Sequence, residues 1–156
     1  MKIEHVAIWV KNIDKVCEFY RKYFGGVVHS LYYNPTKQFS SRFITFEDGA
    51  RLEVMHRPDS NISLGTSAPS QPYTSRSSAK KIRSVSHLMN SNTFHVEHSG
   101  YAHICFSVGS RDKVNRLTQQ MSNDCVIIIK QPRVTGDGYY ESVVVDPEGN
   151  KVEITV

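Results

Sequence analysis

The sequence predicts an α+β protein built from two tandem modules, each with the element order βαβββ. The segments around His5 and Asp14 recur 98 positions further along, and the segment ending in Glu53 recurs 100 positions further along. In each half, apolar residues first follow a helical spacing and then alternate with polar residues in strand-like runs. Because a repeat of this length is one supersecondary unit that occurs twice, we expect two similar modules with curved mixed sheets.

In the first module, the opening strand is the β-branched and apolar run IEHVAIWV, residues 3–10. A helix follows, since Val16 to Phe24 has apolar residues at helical spacing. Asn12 stands near its start, Asp14 lies in its first turn, and Gly25-Gly26 ends the pattern. Three strand-like runs complete the module: Val27 to Tyr33, Arg42 to Glu47 and Ala50 to Met55. The turn EDGA joins the last two runs as a hairpin.

The second module repeats this order from its opening strand, which carries His103. Its helix is expected from about Arg111 to Met121, with Ser110 before it and Asp112 in its first turn. Three strands are expected near Cys125 to Lys130, Tyr140 to Val145 and Lys151 to Thr155, with the turn DPEGN between the last two.

Alternation along the strands shows which side chains share a face. In each opening strand one face is uniformly apolar and suits packing against the helix, while the opposite face carries His5 or His103. In each last strand, Glu53 or Glu153 likewise lies opposite the apolar positions. If the sheets curve with the helices outside, these four side chains point into one cavity.

Two imidazoles and two carboxylates that converge on a concave sheet favour a divalent transition ion such as Ni, Zn, Co, Mn or Fe. His5, Glu53, His103 and Glu153 are therefore the candidate metal ligands, and they leave positions open for water or substrate. In the alternative, the histidines bond to carbonyl groups and the glutamates form exposed cross-strand ion pairs. The symmetric repetition favours the metal.

In these residues the chain resembles the vicinal oxygen chelate superfamily, which includes glyoxalase I, extradiol dioxygenases, methylmalonyl-CoA epimerase and the fosfomycin- and bleomycin-resistance proteins. The resemblance covers Met1 to about His56 and Gly100 to Val156, where His5, Glu53, His103 and Glu153 match the family's ligand positions. The order His, Glu, His, Glu is similar to that of glyoxalase I (lactoylglutathione lyase).

This resemblance implies a lyase or isomerase that acts on a small vicinal-oxygen substrate through a metal-stabilised enediolate. Glu153 matches the catalytic base of glyoxalase I, and Glu53 is the symmetric alternative. The resemblance also implies a homodimer and leaves open a low-molecular-weight thiol as co-substrate. Arg42, Tyr139, Tyr140 and Glu141 lie beside the predicted site strands, where they either line the pocket or pair across the sheet.

Other activities of the superfamily stay open at this point. An Fe(II) extradiol dioxygenase or a thiol transferase would use two His and one Glu as ligands. A protein that binds a drug or metabolite without chemistry would need no metal at all. A shared fold does not choose among these functions, because function resides in the site.

Composition excludes several broader classes. The net charge of +4 lies mostly in one segment, and no basic stripe with readout residues is present, so we expect no nucleic-acid partner. No apolar run is long enough to span a membrane and no secretory signal is visible. The three cysteines are widely spaced and form no CxxC pair, which favours a reducing, cytoplasmic location.

Residues 57–99 form a Ser-rich, basic connector between the modules, with five Lys or Arg against two Asp or Glu. Connectors of this length inside a domain usually serve as a lid or partner-binding loop, or are disordered. We expect disorder over much of its first half.

Overall fold

The computed structural model describes residues 2–58 and 101–156, and in these ranges each module folds into one sheet and one helix. This confirms the predicted α+β class. The predicted connector, with its expected role as a lid or a disordered segment, lies outside the described residues except for Arg57 and Pro58. The described part of the first module, up to residue 58, and the second module from residue 103 onward belong to one compact unit.

The first module contains one helix and five strands. They are β1 (His5–Trp9), α1 (Ile13–Phe24), β2 (Val27–Val28), β3 (Tyr32–Asn34), β4 (Phe39–Thr45) and β5 (Arg51–His56). The sheet order is β1-β5-β4-β2, with β3 also paired to β4. β1 runs parallel to β5, and the other pairs are antiparallel.

The strand predicted from Val27 to Tyr33 is two short strands, and β4 begins at Phe39 instead of Arg42. The cause is a turn that the prediction did not include. The Asn34 side chain accepts a hydrogen bond from the Lys37 backbone N–H at 2.9 Å, which stabilises a tight turn between β3 and β4. The added hairpin extends β4 at its beginning.

The second module has one helix and four strands. They are β6 (Ile104–Ser107), α2 (Arg111–Asn123), β7 (Ile128–Val134), β8 (Tyr140–Val145) and β9 (Lys151–Thr155). The sheet order is β6-β9-β8-β7, with β6 parallel to β9 as β1 is to β5. The edge strand β7 starts later than predicted because Cys125 has a φ of 61° and the Val126 N–H bonds to the Met121 carbonyl, which still belongs to the helix end.

Both helices are capped as the sequence predicts. The side chains of Asn12 and Ser110 accept hydrogen bonds from the N–H groups of Lys15 and Lys113, each at the first turn of its helix. α1 ends at Gly25, which has a φ of 65°. Each helix packs with its apolar side on its own sheet. Each large apolar side chain that is fully buried there contributes about 1.5–3 kcal/mol to the stability of the fold.

The modules contact each other through these helix-packed sides. The Phe106 ring from β6 stacks on Phe24 with the ring centroids 4.1 Å apart, and it also contacts the edge of Phe46 at 4.9 Å. At a second contact, the buried Asp146 accepts a hydrogen bond from the Tyr20 hydroxyl at 3.3 Å. The faces that carry His5 and His103 are on the other side of each sheet, away from these contacts.

The turn between β8 and β9 strengthens this second contact. A side-chain oxygen of Glu148 accepts hydrogen bonds from the backbone N–H groups of Lys11 and Asn12, at 3.0 and 2.9 Å. These two groups precede α1 directly, so a turn of the second module fixes the start of the first module's helix.

Within the described ranges, no helix is both long and apolar enough to cross a bilayer.

Candidate metal centre

The first half-site consists of His5 and Glu53, which lie on the neighbouring parallel strands β1 and β5. The Nε2 atom of His5 is 3.9 Å from a carboxylate oxygen of Glu53. The imidazole is partly exposed and the carboxylate is mostly buried, so both present their polar atoms to the open side of the sheet. The parallel pairing of β1 with β5 thus brings together a His and a Glu that are far apart in sequence.

The second half-site consists of Glu153 on β9 and His103, which lies one residue before β6, so the opening strand of this module begins just after the histidine predicted to be on it. Here the Nε2 atom of His103 is 3.2 Å from a carboxylate oxygen of Glu153. Burial raises the pKa of Glu153, and the nearby Glu141 carboxylate adds to this rise, while His103 and Arg133 oppose it. Arg133 also forms an ion pair with Glu141 at 3.2 Å.

Cys105 lies beside Glu153 in the β6–β9 register and therefore belongs to the second half-site's face. Partial burial of its thiol raises the pKa of Cys105 to about 11, and the carboxylates of Glu153 and Glu141 act in the same direction. At neutral pH the thiol is therefore protonated. Because only the thiolate is a strong nucleophile or metal ligand, Cys105 is not a good candidate for either role.

Each half-site supplies two of the four candidate ligands, but the two half-sites do not meet in one chain. Across residues 2–58 and 101–156, no three His, Cys, Asp or Glu side chains are grouped so that they could hold one metal ion. The two modules do border an open cavity of about 1310 Å³, whose lining includes Phe24, Phe46, Phe106 and Leu117. None of His5, Glu53, His103 or Glu153 is among the residues that line it.

Around His5 the structure shows a cluster that the sequence analysis missed, formed by Glu4, His5, Phe43 and Arg51. The Nδ1 atom of His5 is hydrogen-bonded to Glu4, whose carboxylate also pairs with Arg51. The Arg51 guanidinium lies over the Phe43 ring at 4.1 Å, and the same ring meets the His5 imidazole edge-on at 5.5 Å. The hydrogen bond with His5 lowers the pKa of Glu4, and so does the pairing with Arg51.

Alternation in β4 and β5 is the signal that could have identified part of this cluster, because Phe43 and Arg51 share the face of Glu53. Glu4 carries no such signal. It lies one residue before β1, where the alternation of strand positions no longer applies.

The four positions considered as pocket residues divide between the two faces. Arg42 donates to the His29 carbonyl at 3.1 Å and lies 3.7 Å from Asp14 at the start of α1, so it faces the helix. The Tyr140 hydroxyl donates to the side chain of Asn115 in α2 at 2.7 Å and also faces the helix. Glu141 instead lies on the ligand side with Glu153, and Tyr139 is exposed before β8.

Aromatic side chains continue the ligand-bearing face of the first module beyond His5. Trp9 at the end of β1 is 43% exposed, and Phe39 contacts it edge-on at 6.2 Å. Tyr32 contacts Phe39 in turn, and the Arg57 guanidinium lies 5.1 Å from the Trp9 ring. This exposed apolar surface suits a partner or a ligand with an apolar part.

The donor set fits a divalent transition ion. Each half-site offers one imidazole nitrogen and one carboxylate oxygen within 4 Å of each other, and these are the donor types that such ions prefer. In the first half-site, Glu4 occupies Nδ1 and leaves Nε2 for a ligand bond.

Comparisons with known proteins agree with this architecture. A sequence model described as Glyoxalase/Bleomycin resistance protein/Dioxygenase superfamily matches residues 2–154. Among the curated proteins, none matches the sequence significantly.

Several solved structures have a similar fold at low sequence identity. The trypanothione-dependent glyoxalase I of Leishmania major is similar with a TM-score of 0.63 and 18% identity, over 99% of this chain and 86% of that one. A glyoxalase family protein from Enterococcus faecalis is similar with a TM-score of 0.64 and 18% identity, over 99% and 97% of the two chains.

A glyoxylase/bleomycin resistance protein/dioxygenase domain from Frankia sp. EAN1pec is similar with a TM-score of 0.68 and 12% identity, over 100% and 97% of the two chains. At these identities the structures support the fold alone. The family match spans nearly the whole sequence, and the chain therefore belongs to the Glyoxalase/Bleomycin resistance protein/Dioxygenase superfamily.

Proposed function

We propose that the protein is a metal-dependent, glyoxalase-like lyase or isomerase that acts on a small substrate with two adjacent oxygens. The observation that supports this most is the repeated pair of His and Glu. In both modules a His Nε2 atom, at or just before the start of the opening strand, lies close to an oxygen of a Glu carboxylate on the last strand, at 3.9 and 3.2 Å.

We further propose that the complete site forms in a homodimer. The two half-sites of one chain face away from the contacts that join its modules, and the described residues contain no group of three ligands. In a two-fold dimer, the first half-site of one protomer meets the second half-site of the other, and symmetry produces two identical sites.

In this arrangement His5 and Glu53 hold the ion together with the partner subunit's His103 and the partner subunit's Glu153. When bound, a divalent ion such as Ni, Zn, Co, Mn or Fe acts as a Lewis acid on the adjacent oxygens of the substrate. The exposed aromatic surface around Trp9 and Phe39 contributes contacts to the apolar part of the substrate.

Glu153 is the proposed base. It removes the proton from the carbon beside the carbonyl group and returns it to the neighbouring carbon. Burial raises its pKa, which makes its carboxylate a better proton acceptor than an exposed glutamate. Glu53 is the symmetric alternative, because it occupies the equivalent position in the first half-site.

A low-molecular-weight thiol is the proposed co-substrate, which would form a hemithioacetal with a 1,2-dicarbonyl compound. The structurally similar glyoxalase I of Leishmania major is described as trypanothione-dependent. We place the protein in the cytoplasm, since Cys17, Cys105 and Cys125 are all free thiols.

The test measures bound metal by elemental analysis after reconstitution with Ni, Co, Zn, Mn or Fe(II), followed by an assay of hemithioacetal isomerisation. Two double variants divide the site: His5→Ala with Glu53→Ala, and His103→Ala with Glu153→Ala. We expect about one ion per wild-type chain and almost none in either double variant alone.

Co-expression of the two double variants tests the shared site directly. The mixed dimer has one position with all four ligands and one with none, so about one ion per mixed dimer should return, with activity. If the mixed dimer stays empty while the wild type binds metal, each site forms within one chain. If the wild type binds no metal under any condition, the protein is a non-catalytic binding protein.

A further inference from the structure

We propose that Glu4 is a positioning residue for the metal centre, which fixes the tautomer and the ring orientation of His5. This inference rests on the proposed function only in taking His5 as a ligand. Neither the sequence pattern nor the family's ligand positions include Glu4.

The geometry gives Glu4 one specific bond to the imidazole. Its carboxylate oxygen lies 2.5 Å from Nδ1 of His5, while Nε2 faces Glu53 on the adjacent strand. A carboxylate only accepts hydrogen bonds, so the neutral imidazole must carry its proton on Nδ1 and keep the lone pair on Nε2. That is the tautomer needed for a ligand bond from Nε2.

Two further contacts keep Glu4 and the imidazole in place. Arg51 pairs with the Glu4 carboxylate, and its guanidinium lies over the Phe43 ring at 4.1 Å. Phe43 in turn meets the His5 ring edge-on at 5.5 Å. The contacts therefore close a ring of four side chains, in which both the carboxylate and the imidazole have fixed neighbours.

The second module has no equivalent of this ring of contacts at the matching sequence positions. Ala102 precedes His103, and Val143 pairs with Glu153 where Phe43 pairs with Glu53. The two histidines are thus oriented differently: His5 by a carboxylate on Nδ1, and His103 by its short contact to Glu153.

The chemical consequence is a preorganised ligand. Carboxylates that accept from the second nitrogen of a metal-bound histidine orient the ring and raise its basicity, and their loss typically weakens metal binding about 10- to 100-fold. We therefore expect Glu4 to contribute to affinity without contacting the ion.

The first experiment reads the tautomer in the metal-free full-length protein, by long-range ¹H–¹⁵N NMR of the imidazoles at about pH 8.5, where histidines are ordinarily neutral. We expect His5 to carry its proton on Nδ1 in the wild type and to lose this preference in Glu4→Ala. Finding the proton on Nε2 in the wild type, or an unchanged tautomer in Glu4→Ala, would overturn the proposal.

Glu18→Ala is the matched control. Glu18 lies in the same module, is exposed to almost the same extent as Glu4 (55% against 56%) and also pairs with an arginine, but it is on α1, away from His5. Glu18→Ala should leave the tautomer unchanged, which separates the local bond from the loss of one negative charge.

The second experiment titrates metal into the same three proteins. We expect Glu4→Ala to bind with about 10- to 100-fold lower affinity but unchanged stoichiometry, and Glu18→Ala to bind like the wild type. Equal affinity in Glu4→Ala and the wild type would contradict the positioning role. If the wild type binds no metal, the proposed function fails, and the NMR result still decides whether Glu4 orients His5.

Discussion

The first and second modules share one order of strands and one pair of candidate ligands, but the side chains around their histidines differ. In the first, Glu4, Phe43 and Arg51 surround His5, and an exposed aromatic surface continues the same face. In the second, charged residues and a thiol surround the His–Glu pair, and burial raises the pKa of Glu153.

Under the proposed function, this difference predicts a division of labour between the two modules. The first half-site has the features of a rigid ligand pair beside an apolar surface, while the second has the features of a proton-transfer site. A repeated pattern therefore predicts where ligands lie, but the surroundings of each ligand determine its role.

The largest expected effect concerns the two glutamates. Glu153→Gln should lower the turnover number for hemithioacetal isomerisation about 10²- to 10⁴-fold, because an amide cannot accept the substrate proton. Glu53→Gln should have a smaller effect on turnover at saturating metal. Steady-state kinetics with the bound metal measured in the same samples distinguishes a lost base from a lost ligand.

The opposite order of effects would assign the base to Glu53 and remove the proposed division of labour. Equal losses in both variants, with metal content unchanged, would mean that the two carboxylates share the proton transfer.

An intermediate effect, on stability, is expected from substitutions in the turn that follows the penultimate strand of each module. Asp146 is buried and accepts hydrogen bonds from the Tyr20 hydroxyl, from the Glu148 N–H and from the backbone and side chain of Asn150. Asp146→Ala should lower the free energy of unfolding by about 2–3 kcal/mol, since it leaves a buried hydroxyl and turn N–H groups without their acceptor.

Asp48→Ala, in the exposed turn of the first module, is the control and should change the free energy of unfolding by less than about 0.5 kcal/mol. Urea unfolding followed by circular dichroism measures both. Similar stabilities of the two variants would mean that the contact between Tyr20 and Asp146 does little to hold the modules together.

The substitution with the smallest expected effect is Glu153→Gln, read out as the reactivity of Cys105. Because partial burial and two carboxylates raise its pKa to about 11, its alkylation by iodoacetamide should accelerate almost tenfold per pH unit between about pH 7 and 10. Mass spectrometry of the alkylated peptide measures the rate. Glu153→Gln should accelerate the reaction modestly at a given pH, because it removes one of the negative charges.

A rate that levels off below about pH 9 would show that the thiolate forms more easily than the surroundings of Cys105 imply. In that case burial and the two carboxylates would not set the second half-site apart from the first.

The sequence was sufficient to predict both helices and the strand faces of Glu53 and Glu153, because these depend on local patterns. Caps at Asn12 and Ser110 and the glycine at the end of α1 define the helices, and the two-residue period of the strands places Glu53 and Glu153 opposite the core. None of this needs information from distant residues.

The features that the sequence did not predict depend on contacts between distant segments. Arg42 faces α1 because its guanidinium pairs with Asp14 and donates a hydrogen bond to the His29 carbonyl there. The alternation of residues along the strand does not indicate either partner. The packing of the modules likewise depends on Phe106 against Phe24 and on Asp146 with Tyr20. The sequence alone therefore could not show whether the two half-sites of one chain come together.

The position of Trp9 has a practical consequence, since it is the chain's single tryptophan and lies on the same strand face as His5. All intrinsic indole emission of the protein therefore comes from the aromatic surface beside the first half-site, which the proposed dimer brings close to the partner subunit. Pairing of two chains would shift this emission to shorter wavelengths, and a paramagnetic ion such as Ni or Co nearby would quench it. If the protein pairs and binds metal as proposed, its own tryptophan reports both events, and no label needs to be attached.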